Sequence, residues 1–231
     1  NSVTDLSLSA NGEIIAASSG YTDPSSIAFD LSNSGTTFDM DGGRIIVANS
    51  NPSSTYDVSI NAVNGSLMSG GTLQIGDTNL TDNNSNFKVG GTMPVQTLHL
   101  VSDGVKNIST DLSESEYSVL ALFENDNGHS FNLNGNTLKL EGDLLNNGVF
   151  DANPASSTTD PWIVSFLGSD SQTITNTNGN SIGIYNFRMD KDTGYVRLDN
   201  TPGSDLVVNN SIEYTSNNNS FIDAGTNDRS V

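Results

Sequence analysis

The sequence predicts an all-β repeat protein, with a parallel β-solenoid (β-helix) as the preferred architecture and tandem immunoglobulin-like β-sandwiches as the runner-up. Three observations lead there. Short runs alternate apolar and polar residues, turn-forming pairs separate them about every ten residues, and phrases recur at a spacing near 90 residues.

The runs come first. Phe38-Asp-Met40, Arg44-Ile-Ile-Val47, Thr55 to Ile60, Thr72-Leu-Gln-Ile75, Thr97-Leu-His-Leu100, Thr137-Leu-Lys-Leu140, Trp162 to Phe166 and Tyr195-Val-Arg-Leu198 read as short strands. A strand turns successive side chains to opposite sides, so each run has one dry and one wet side. One stretch competes for a helix: over 110–123, Asp111 and Glu114 could form a capping box. Tyr117, Val119, Ala121 and Phe123 alternate as well and register with Leu206, Val208, Asn210 and Ile212, which favours a strand. Between the runs sit Asn-Gly pairs at 11, 64, 127, 134, 147 and 178, with Gly42-Gly43 and Gly70-Gly71. Such pairs supply the positive φ that tight corners require.

The repeat has two anchors. Thr37 to Gly42 matches Ser130 to Gly135, and Ser220-Phe221 opens the phrase again; Val95 to Leu100 matches Ile184 to Met189, and Val3 to Leu8 precedes both. This predicts one continuous array over 1–231, with units 37–129 and 130–219 and partial units 1–36 and 220–231. The two ends read as cut from a longer chain. A sandwich packs two sheets around large inward side chains, yet the chain has a single Trp, Trp162. A solenoid needs small strands and Asn, Ser, Thr and Gly at its corners, as in Phe131 to Phe150. Under this reading Phe38, Met40, Leu98, Leu100, Phe131, Leu133, Phe187 and Met189 point inward.

The segments Gly135 to Phe150, Ser165 to Ile174 and Ile184 to Met189 resemble repeats of long surface proteins exported by the bacterial type IX secretion pathway. The match is best over 135–200; at 95–100 the Tyr-Asn pair of Ile184 to Met189 is replaced by Gln96-Thr97. The resemblance implies a secreted or cell-surface adhesin, or a filamentous stalk, and carries no catalytic residues.

Composition narrows the function classes. A net charge of −19 would be repelled by nucleic-acid phosphates and anionic lipid, so neither is an expected partner. No run is long and apolar enough to insert in a bilayer. Without cysteine there is no disulfide, zinc-thiolate or thiol nucleophile. A nucleophilic Ser or Thr would need a base, and only His99 and His129 are present. His99 reads as a solvated mid-strand residue and His129 as a surface residue of the Asn127-Gly128 turn. The carboxylate pairs Asp39/Asp41 and Asp190/Asp192 each point to one side of an extended chain, as glycan-cleaving solenoids require. However, Asp39 and Asp41 become Asn132 and Asn134 in the next unit, which is how corner residues vary. Calcium is the metal such a chain would favour, through Asp39, Asp41, Asp77, Asp82, Asp126 and Asp192, although no EF-hand or nonapeptide loop appears. Trp162, Tyr185 and Tyr195 are the aromatic candidates for a glycan-binding face.

The expectation is therefore a non-enzymatic structural segment of an extracellular or cell-surface adhesin or filament. Its partners would be other segments or copies of a filament, with glycans or a host or abiotic surface as further partners. The competing classes are a carbohydrate-binding module and a polysaccharide-active β-helix enzyme.

Overall fold

In the computed structural model the described residues are 4–16, 27–32, 36–51, 54–61, 67–78, 84–105, 107–156, 159–177, 179, 181–199, 205–215 and 220–224. Val3, Asp82, the Asn64-Gly65 turn and Asn178 lie outside them. Every strand pairing among the described residues is parallel, and the chain coils as a β-solenoid. An immunoglobulin-like sandwich is built from antiparallel strands, so the runner-up is excluded.

Three faces run along the coil. The first stacks Thr4–Leu8, 36–41 and 67–70, then Val95 and 116–119, Thr137–Leu140, Ile163–Gly168, 186–191 and 211–214. Among the described residues the second stacks nine strand segments: Glu13–Ala16, 44–47, 72–75, 97–100, 122–125, Asp143–Asn146, Gln172–Asn176, Tyr195–Leu198 and Phe221–Asp223. The third runs from Phe29–Leu31 through Val58–Ile60, Asn84–Gly90, Asn107–Leu112, His129–Asn132, Val149–Ala152 and 182–184 to 206–208. Register partners on the second face lie 21 to 31 residues apart, which is the length of one coil.

Several strands run through a corner without ending. Thr36–Val47 and Glu116–Asn125 pass from the first face to the second, and Ile182–Lys191 passes from the third to the first. Their registers shift between Met40 and Arg44, between Val119 and Leu122, and between Ile184 and Asn186, so the ladder is interrupted at each bend. Glycine lets neighbouring coils approach at such corners. A Cβ on Gly142 would overlap the Ala121 carbonyl oxygen, so no other residue fits there without moving backbone. The stretch 110–123 contains the end of one strand, Asn107–Leu112, and most of another, Glu116–Asn125, with no helix.

One hydrophobic cluster runs inside the coil from Leu8 to Leu206. All eight side chains expected to point inward are buried in it: Phe38, Met40, Leu98, Leu100, Phe131, Leu133, Phe187 and Met189. Phe131 registers with Phe150 on the next coil, and Phe123 meets both edge-on at centroid distances of 4.9 and 5.7 Å. Such contacts add about 0.5–1.5 kcal/mol beyond the area they bury.

The recurring phrases fall on different faces. Phe38 lies on the first, Phe131 on the third and Phe221 on the second. A spacing near 90 residues is about three and a half coils, so it carries a phrase from one face to another. All faces need the same inward and outward alternation, and the same phrase suits each.

Candidate functional site

On the second face, residues of equal parity form an outward row: Gln74, His99, Glu124 and Leu145 are register partners on successive coils. Asp126 follows just past the strand end, its N–H bonded to the Leu100 carbonyl, and its carboxylate comes to the same side as Glu124. The sheet thereby gathers one imidazole and two carboxylates. His99 Nε2 lies 3.2 Å from Asp126 Oδ2 and 3.8 Å from Glu124 Oε2. The three ligand atoms all lie within 4.8 Å of one another. All three side chains are half-buried, yet Nε2 itself is shielded from solvent and makes no hydrogen bond. The Asp126 carboxylate is near enough to attract a positive charge but is not placed to accept an N–H bond.

Asp126 also borders a polar cleft of about 630 Å³ where the second face turns into the third. Ser102, Asp103, Gly104, Asn127, Asn147 and Thr177 complete its lining. Beneath it, Asn125, Asn146 and Asn176 stack in register with their amides buried. The Asn125 amide donates to Asn146 Oδ1 and the Asn146 amide to Asn176 Oδ1, each at 2.8 Å. The same amides cap corner carbonyls: Asn125 Nδ2 reaches Val149 O at 3.1 Å and Asn146 Nδ2 reaches Gly148 O at 3.0 Å.

The histidines differ from their sequence reading in unequal degree. His99 is mid-strand and outward as expected, but half-buried against carboxylates. His129 is fully buried, which corrects its assignment to the surface. It follows the turn but opens the strand His129–Asn132, and it shares the inward parity of Phe131. Its Nε2 pairs with Thr110 Oγ1 at 2.8 Å and its Nδ1 with Val101 O at 3.2 Å. Burial lowers its pKa to about 4, against smaller opposing effects of the Val101 carbonyl and Asp126.

A second buried polar group holds the corner between the first and second faces. Lys191 Nζ donates to the carbonyls of Leu167 and Asp170 at 3.1 and 2.6 Å and to Gln172 Oε1 at 2.6 Å. Burial pushes its pKa down, while Asp170 and Glu141 push it up. Gln172 in turn donates to the Leu140 and Gly142 carbonyls. These groups satisfy corner carbonyls, a structural task.

The other candidates are dispersed. Asp39 and Asp41 are exposed on the first face, whereas Asp190 and Asp192 are exposed several coils further on. Asp190 accepts from Thr215 Oγ1 at 2.6 Å. Asp77 is half-buried, and among the described acidic residues considered for calcium only Asp126 joins the His99 cluster. Trp162 packs against the core before a first-face strand, while Tyr195 stacks on Phe221 of the second face at 5.4 Å. Tyr185 is half-buried at the corner between the third and first faces. The three aromatics therefore form no single row.

Glu124 is the functional candidate that sequence reasoning missed. A usable signal was present: Leu98-His99-Leu100 and Phe123-Glu124-Asn125 share an offset of one coil, which puts His99 beside Glu124. Compared with known proteins, the chain matches no family model, no curated protein and no solved structure.

Proposed function

We propose that the chain is a structural segment of an extracellular or cell-surface adhesin or filament, a stiff spacer whose partners are other segments of the same assembly. The observation that carries this reading is the continuity of the coil: among the described residues, strands of one coil pair in parallel with strands of the coils before and after it, around one hydrophobic core. A body built this way transmits force through stacked backbone hydrogen bonds along its axis. Its outward residues are mostly polar, and −19 of net charge keeps such rods apart. The repeat-level resemblance to type IX secreted surface proteins supports an extracellular location.

The polar cleft beside Asp126 favours a second reading, a carbohydrate-binding module, because hydroxyl-rich ligands suit a site lined by carboxylates and amides. Electrophoresis through gels containing soluble polysaccharides, with an assay for released reducing ends, separates the readings. A spacer migrates unretarded and releases nothing. Retardation by one polysaccharide class would establish the binding module, and release of reducing ends a polysaccharide-active enzyme.

A further inference from the structure

We propose that His99, Glu124 and Asp126 form a binding site for a divalent first-row transition-metal ion, zinc foremost. Backbone register brings the three side chains together. His99 and Glu124 are direct partners on adjacent coils, and Asp126 follows the strand end with its N–H bonded to the Leu100 carbonyl at 2.9 Å, so the backbone presets the ligand positions. Ligands on neighbouring strands need little ordering when an ion arrives, because packing already fixes their backbones.

The distances suit a small cation. Two ligand atoms about 2.0–2.1 Å from a tetrahedral zinc ion stand roughly 3.3 Å apart. His99 Nε2 is 3.2 Å from Asp126 Oδ2 and 3.8 Å from Glu124 Oε2, so modest rotation of two carboxylates closes the set. Nε2 is also left unsatisfied. It is shielded from water, faces two carboxylates and makes no hydrogen bond, and an ion placed between the three atoms would satisfy it. Of the three ligands Asp126 also lines the polar cleft, so one side of the site borders solvent.

The donor set also selects the ion. Calcium takes six to eight oxygen ligands and has little use for an imidazole nitrogen. Imidazole with carboxylates suits zinc and its first-row neighbours. The site thus differs from the calcium chemistry that an acidic extracellular chain suggests, and it stands independently of the spacer reading.

Two histidines make the test direct. Imidazole nitrogen NMR of the whole chain gives two sets of signals, one for His99 and one for the buried His129. Zinc titration should move the His99 set alone, with saturation at one equivalent, and about a hundredfold excess of calcium should leave it in place. His99→Gln and Glu124→Gln should each weaken zinc binding at least about tenfold. Glutamine is tolerated in this row, since Gln74 occupies it one coil earlier. Far-UV circular dichroism confirms that each variant keeps its strands, and Glu124→Gln serves alone if His99→Gln misfolds. Zinc that left the His99 signals unmoved, bound both variants as well as wild type, or was displaced by calcium would overturn the proposal.

Discussion

His129 shows how one side chain couples this coil to pH. Folding holds its imidazole neutral, with the pKa lowered from 6.5 to about 4, whereas the unfolded chain protonates it near 6.5. The unfolded state therefore binds more protons between those values, and stability falls as pH drops from about 6.5 towards 4, by on the order of 3 kcal/mol in all. Urea unfolding midpoints in chelator-treated buffer should show this slope, and His129→Gln should flatten it. Tyr117 gives the opposite kind of test. Its hydroxyl is buried without a hydrogen-bond partner, and burial raises its pKa. Tyr117→Phe removes the unsatisfied oxygen and should stabilise the protein by about 1 kcal/mol in the same assay. The inward residues were legible because alternation alone assigns them, as Phe131 and Leu133 show. His129 was misread because the Asn127-Gly128 turn masked its parity with Phe131. The solvent shielding of His99 Nε2 depends on the neighbouring coil, which no local window contains.

Strands and corners were legible from different cues. The stretch 110–123 became strand because a parallel neighbour exists on each side of it, and the capping signal at Asp111 and Glu114 had no helical face to serve. Corners were visible as Asn-Gly pairs, yet their chemistry was not. The row of Asn125, Asn146 and Asn176 links residues 21 and 30 positions apart, so it emerges only when the register is known. Asn146 is its centre, bonded to both neighbours and to the Gly148 carbonyl. Asn146→Ala leaves the buried Asn176 oxygen and the Gly148 carbonyl without that donor, and should cost about 2–3 kcal/mol. Thermal unfolding followed by circular dichroism checks this, and a loss near zero would mean that the amides are solvated. Cross-coil ion pairs are a weaker element-scale device. Arg44 with Glu13, Arg188 with Glu213 and Arg197 with Asp223 join registered neighbours on the surface, where each contributes little.

At the scale of the molecule, a spacing near 90 residues suggested beads or coils, and parallel pairing makes it coils. The length of one coil was obscured because recurring phrases such as those at Phe38 and Phe131 sit on different faces. The surplus of acid, 27 side chains against 8 basic ones, keeps the outer faces mutually repulsive while the core stays apolar. In such a body contacts run chiefly between neighbouring coils, with an exception where Asn209 bonds Asn153 across Gly183, so stability is close to a sum of coil and interface contributions and ends release first. Single-molecule pulling between the two termini tests this most directly. Coils of 21 to 31 residues should peel away in steps of roughly 70 to 105 Å of contour. Release in increments of roughly 300 Å, the contour of 90-residue beads, would contradict the continuous rod.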